Sequence, residues 1–153
     1  MRLLGIDYGI KRIGVALSDE RGKFAFPHSV IQNCPTQKCA RLSLAQIKKI
    51  CEENEVGKII LGKSVDYHGY PNPVMKKIEP FKTLLEKETG LAVEYEEETL
   101  TTYEAKEVPV IGKERYSLSN KKRKGWQGKM KKIDASAAAI ILRSFIEKQK
   151  VVE

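Results

Sequence analysis

Short apolar runs and helical stripes alternate along the chain and set out its elements in order. Residues 3–18 hold two apolar runs on either side of Tyr8-Gly9, which predicts a tight antiparallel hairpin with a positive φ open to Gly9. Residues 23–32 read as a third strand, irregular or near an edge because of Pro27. From Pro35 and Thr36 to about Glu55 the period becomes helical, with Ala40, Leu44, Ile47 and Cys51 on one face. Residues 58–62 form a continuous apolar run, the pattern of a strand covered on both sides. A polar, turn-rich loop spans 64–72, and Asn72-Pro73 then opens a helix that Gly90 ends. Pro80 inside that stretch predicts a kink or a later start. Residues 91–95 are another strand, running into Glu96-Glu97-Glu98. Thr101 and Glu104 have capping-box spacing for a short helix that must stop before Pro109. The last helix runs from Asp134 to about Lys148, with Ala138, Ile141 and Phe145 on the face of Asp134.

A strand, a crossover helix and a buried strand imply an α/β fold with parallel pairing. There is no internal repeat and no linker, so residues 1–153 read as one domain, long enough to bury a real core. No apolar run approaches the ~18 residues of a membrane span, and the N-terminus enters a strand without a signal pattern. Three cysteines without C-x-x-C spacing, and isolated His28 and His68, argue against a zinc site and a disulfide framework. A reducing cytoplasm is the expected setting.

Charge changes the picture. The net charge is +8, from 28 basic and 20 acidic residues. Residues 109–132 carry nine of the basic side chains and one acid, Glu114, which leaves nineteen of each sign elsewhere. One segment therefore carries the whole imbalance. Without a hydrophobic period it reads as a mobile basic loop, and concentrated positive charge points to a polyanion, most often nucleic acid. Trp126 within it is either a base-stacking residue or an apolar plug.

Three acids share a kind of position: Asp7 ending the first strand, one of Glu96-Glu97-Glu98 ending the last, and Asp134 starting the final helix. If the two strands run parallel and close together, these acids converge. Converging carboxylates repel, so a proton or a cation must hold them. Oxygen ligands without Cys or His favour Mg²⁺ or Mn²⁺, one ion or two, and such ions hydrolyse phosphodiesters. Each acid also has a plain alternative: a turn Asp bonding its own backbone, a solvated strand end, and a helix cap worth ~1 kcal/mol.

The motifs carry a family resemblance. Gly5-Ile6-Asp7-Tyr8-Gly9, Lys11-Arg12-Ile13-Gly14-Val15-Ala16 and Ser18-Asp19 resemble the opening motif of the bacterial YqgF family. That family of Holliday junction resolvases and pre-16S rRNA nucleases lies in the ribonuclease H-like superfamily. Residues 97–102 are similar to its Asp-Glu-Arg-Leu-Thr-Thr signature, and Lys132-Ile133-Asp134 with Ala137-Ala138 to its C-terminal motif. The likeness covers essentially the whole chain. It implies a ribonuclease H-like five-stranded mixed sheet flanked by helices, with Asp7, Glu98 and Asp134 as catalytic metal ligands. It also implies metal-dependent cleavage of structured nucleic acid in maturing the 5′ end of small-subunit ribosomal RNA. Glu97 stands where the family has Asp, Thr99 where it has Arg, and residues 63–69 depart from its Pro-containing Met-x-Gly loop.

The expected activity is a metal-dependent nuclease acting on precursor rRNA, free or in ribosomal precursor particles, as a monomer or homodimer. The cations expected to hold the nucleic acid are Lys11, Arg12, Lys121, Lys122, Arg123, Lys124, Lys129, Lys131 and Lys132, with Trp126. The rivals are a resolvase of branched DNA and a basic binding module whose acids are structural. A third is an actin-like ATPase, which would need two such domains to clasp its nucleotide.

Overall fold

A computed structural model describes residues 1–63, 73–97 and 123–152, with side chains described from Asp134 in the last segment. Five strands, β1 (Arg2–Tyr8), β2 (Arg12–Ser18), β3 (Ala25–Gln32), β4 (Val56–Lys63) and β5 (Val93–Glu97), form one mixed sheet in the order β3-β2-β1-β4-β5. The β1–β2 and β2–β3 pairs are antiparallel, and β1–β4 and β4–β5 are parallel. This is the mixed α/β sheet the sequence predicts. Pro27 lies on edge strand β3, where the register with β2 shifts between Val15 and Ala16. A residue that cannot donate a ladder hydrogen bond is tolerated there.

Helices α1 (Gln37–Glu53) and α2 (Met75–Thr89) are the two crossovers. Thr36 caps α1, its Oγ1 accepting from Cys39 N at 3.3 Å. Helix α2 starts two residues after Pro73 and continues through Pro80, and Gly90 ends it in the left-handed conformation at φ +67°. Leu44, Ile47 and Cys51 of α1 and Met75, Ile78, Phe81 and Leu85 of α2 are buried in one core with Leu4, Ile6, Ile13, Val15, Ile59, Leu61 and Val93.

The C-terminal helix α3 (Arg123–Val152) covers the opposite face. Its Ala138, Ile141, Leu142, Phe145 and Ile146 pack on Leu3, Ala16 and Ile60. This helix corrects two expectations. Residues 123–132 are helical rather than loop, because α3 is nucleated by its packed C-terminal half and lysine extends a helix readily. Asp134 consequently sits inside the helix and is not its cap. Residues 109–122, including Lys121 and Lys122, lie outside the described residues, as do the 64–72 loop, Glu98 and the segment from Thr101.

A third correction concerns cysteine. Cys34 and Cys39 form a disulfide, while Cys51 is free and buried. The Pro35-Thr36 turn into α1 folds the chain back and brings the two Cα atoms to 5.5 Å, a separation a bridge can span. Among the described residues, no helix is long and apolar enough to cross a membrane.

Candidate active site

Side chains alternate across a strand, so Leu4, Ile6 and Tyr8 of β1 face α1 and α2 while Leu3, Gly5 and Asp7 face α3. Tyr8 packs on Phe81 of α2 with ring centroids 4.8 Å apart and planes tilted by 46°, which anchors the end of β1. In the antiparallel ladder Asp7 pairs with Gly14 of β2. A Cβ on Gly14 would lie 2.1 Å from the Asp134 carbonyl oxygen, so only glycine lets the α3 backbone rest on β2 there. A Cβ on Gly5 would meet Leu142 Cβ at 2.8 Å and the Ala138 oxygen at 2.9 Å. The two glycines seat α3 along Asp134, Ala138 and Leu142, one helical stripe, and rest the Asp134 backbone on Gly14, the ladder partner of Asp7.

The turn joining β1 and β2 is held from outside. Asn33 Nδ2 donates to the Gly9 oxygen at 2.8 Å, and the Asn33 backbone N–H donates to the Lys11 oxygen at 2.9 Å. Among the described glycines only Gly22 and Gly90 have positive φ, so Gly9 is not used as expected. A Cβ there would lie 2.5 Å from the Arg12 oxygen, and glycine serves to close the turn. Asn33 carries no signal in the sequence beyond that of an ordinary turn residue.

Arg12 and Asp134 meet at this turn. Arg12 Nε lies 2.8 Å from Asp134 Oδ2, with the side chains 27% and 28% exposed. The contact is an ion pair without hydrogen-bond alignment: Oδ2 itself is shut off from solvent and accepts no hydrogen bond. Tyr8, Gly9, Ile10, Lys11, Arg12, Val74 and Asp134 line a cleft of about 430 Å³ in front of it. Lys11 is exposed at its rim.

The acids of the last strand separate. β5 runs parallel to β1 but with β4 between them, about 10 Å away by strand spacing. Glu96 is buried, accepting a hydrogen bond from Ser144 Oγ at 2.7 Å and pairing with Lys148 of α3. It ties the end of β5 to α3. Glu97 is exposed. The side chains of Arg123, Lys124, Trp126, Lys129, Lys131 and Lys132 lie outside the described part of α3.

Comparison with known proteins decides the family. RuvX, described as Holliday junction resolvase, matches residues 1–148. The chain belongs to the RuvX family. A relative from Halothermothrix orenii, named "Putative pre-16S rRNA nuclease", is 36% identical over 149 residues, covering 97% of this chain and 96% of its own. A relative of the same name from Lachnospira eligens is 37% identical over 151 residues, 98% of this chain and 100% of its own. The fold is similar to RuvC of Thermus thermophilus bound to a Holliday junction, with a TM-score of 0.59 at 16% identity. That alignment covers 98% of this chain and 96% of RuvC. A RuvX chain is thus a nuclease-family chain on a RuvC-like, ribonuclease H-like sheet.

The donor chemistry of the site fits a hard divalent cation. Asp134 offers a buried carboxylate oxygen that no hydrogen-bond donor satisfies, and Asp7 a second carboxylate across Gly14. Among the described residues no three His, Cys, Asp or Glu side chains gather at metal-holding distance.

Proposed function

We propose that this RuvX chain is a divalent-metal nuclease that trims the 5′ end of precursor 16S ribosomal RNA in the cytoplasm. Asp7, Asp134 and Glu98 would hold one or two Mg²⁺ or Mn²⁺ ions. The observation that carries the reading is the buried Oδ2 of Asp134, without a hydrogen bond, on a helix whose Asp134 backbone rests on Gly14, the ladder partner of Asp7. Arg12 Nε lies 2.8 Å from that oxygen without aligning a hydrogen bond to it, so its acceptor capacity is left for another partner. Bound there, a divalent ion supplies a water acidified toward neutral pH and charge stabilisation for the leaving oxygen.

The chain's own residues do the rest. Asp7 and Asp134 fix the donor oxygens on a rigid strand and a packed helix, which favours a reproducible geometry. Lys11, at the cleft rim, meets the phosphate backbone, and the basic run Lys121, Lys122, Arg123 and Lys124 extends the cationic track. Trp126 stacks on an unpaired base. Ser144 and Lys148 hold Glu96, and with it the strand that leads to Glu98.

The substrate assignment follows the names of the relatives, and the family description favours a second reading, resolution of branched DNA. One assay separates them. Wild type and Asp7→Asn are incubated with Mg²⁺ or Mn²⁺ on a precursor rRNA fragment and on a four-way DNA junction. Metal-dependent cutting of the RNA alone, lost in Asp7→Asn with binding retained, is the expected result. Cutting of the junction alone makes the chain a resolvase. Cleavage retained in Asp7→Asn overturns the site. Binding of both without cutting of either makes it a binding module.

A further inference from the structure

Asp134 is already partnered by a cation of the protein itself. Arg12 opens β2, and its guanidinium reaches Asp134 Oδ2 through Nε at 2.8 Å. That contact is a poor use of arginine. The guanidinium carries five N–H donors in a fork that suits two oxygens at once, yet this pair has no aligned hydrogen bond. The same side chain lines the 430 Å³ cleft beside exposed Lys11, where a phosphate entering the cleft would meet it. Arginine pairs bidentately with phosphate as well as with carboxylate. A divalent ion on Oδ2 would sit against the guanidinium as a like charge in a partly buried place, so the two cations compete for that oxygen.

We propose that Arg12 is an exchange cation. It neutralises Asp134 while the metal position is empty, and it turns to a phosphate of the nucleic acid when a divalent ion takes Asp134. Arg12 is then a substrate-binding residue whose availability depends on metal. By linkage, metal raises nucleic-acid affinity and nucleic acid raises metal affinity by the same factor. The device also keeps an unloaded site from gripping its substrate fully. This inference rests on the metal-dependent reading above, and the experiment separates the two.

Mn²⁺ binding is measured by calorimetry on wild type, Arg12→Gln, Arg12→Lys and Asp134→Asn. Thermal melting with and without Mn²⁺ accompanies it, and binding of the labelled rRNA fragment is followed in Ca²⁺ and in EDTA. Arg12→Gln is expected to bind Mn²⁺ about tenfold more tightly than wild type, within the ordinary range of couplings between sites. Its melting temperature should rise more on adding Mn²⁺. It should also lose the Ca²⁺-dependent gain in RNA affinity that wild type shows. Arg12→Lys keeps a cation on Asp134, so its Mn²⁺ affinity should match wild type while the gain in RNA affinity shrinks. If Arg12→Gln does not fold, Arg12→Lys decides: an undiminished RNA gain overturns the exchange. Equal or weaker Mn²⁺ binding in a folded Arg12→Gln, with wild type binding through Asp134, overturns the exchange and leaves the metal site standing. Wild type binding no more Mn²⁺ than Asp134→Asn overturns both.

Discussion

Toward α1 and α2 the sheet presents Leu4, Ile6, Ile13, Val15, Ile59 and Leu61, each fully buried. Toward α3 it presents Gly5, Gly14, Ala16 and Ile60, with Asp7 and Glu96 at the strand ends. The first face is filled with branched side chains, each contributing about 1.5–3 kcal/mol when fully buried. The second gives up that bulk so that a helix backbone rests directly on the strands. The close approach lets the Asp134 backbone rest on Gly14, the ladder partner of Asp7, because nothing larger than hydrogen stands there. One face holds the molecule together, and the other aims its acids.

Substitutions on the two faces should therefore fail differently. The largest effect belongs to the α3 face. Asp134→Asn should lower cleavage at least about 10³-fold, roughly 4 kcal/mol of transition-state stabilisation. Its melting temperature should shift by only a few degrees, since the Arg12–Asp134 pair it breaks is part-exposed and such pairs contribute about 0–1 kcal/mol. A parallel fall in stability and activity would mean that Asp134 is a structural residue.

Next comes the apolar face. Leu85 is fully buried in α2, and Leu85→Ala should cost about 3 kcal/mol in urea denaturation. Cleavage per folded molecule should stay within twofold of wild type. A larger loss would show that the two faces are coupled through the sheet.

Gly14→Ala tests the seam itself. The added methyl would press on the Asp134 carbonyl, a backbone atom that cannot rotate away. A cost of about 2 kcal/mol is expected, within the usual range for overpacking. Cleavage should fall about tenfold or more in the molecules that remain folded, because a shift of α3 moves Asp134 from Asp7. Unchanged cleavage with unchanged stability would refute the close seating of α3.

The sequence carried the first motif well because its parts are local. The strand alternation, the hairpin turn and the apolar stripe of 134, 138, 141 and 145 are all periodic signals, and each stands where it was expected. The Arg12–Asp134 pair was hidden because its members are distant in sequence and meet only when α3 crosses β2. Arg12 therefore read as a phosphate contact alone. Glu96 was one of three acids in a row, and its burial depends on Ser144 and Lys148 of another element. The helical state of 123–132 was missed because a hydrophobic period reports packing, and a helix can outrun its packed part. The Cys34–Cys39 bridge was missed because its spacing gives no signal until the Pro35-Thr36 turn is known.

The smallest expected effect is a pH dependence confined to the apolar face. Burial pushes the Cys51 thiol up to about 11 from its ordinary 9.0, with Glu52 adding to the shift. Burial likewise raises Tyr95, helped by Glu79 and Glu86. Both groups stay protonated in the fold at a pH where the unfolded chain has released the proton. Stability from Cys51 is therefore complete below pH 9 and is lost as pH rises toward 11. Tyr95 adds a loss of the same sign at still higher pH. Urea midpoints of wild type and Cys51→Ala, taken from pH 8 to 10.5, should fall in parallel up to about pH 9. Above that point wild type should fall more steeply, and the gap between the two should narrow. A constant gap would mean that Cys51 titrates alike in both states, and that the face beneath α1 is open to water at this position.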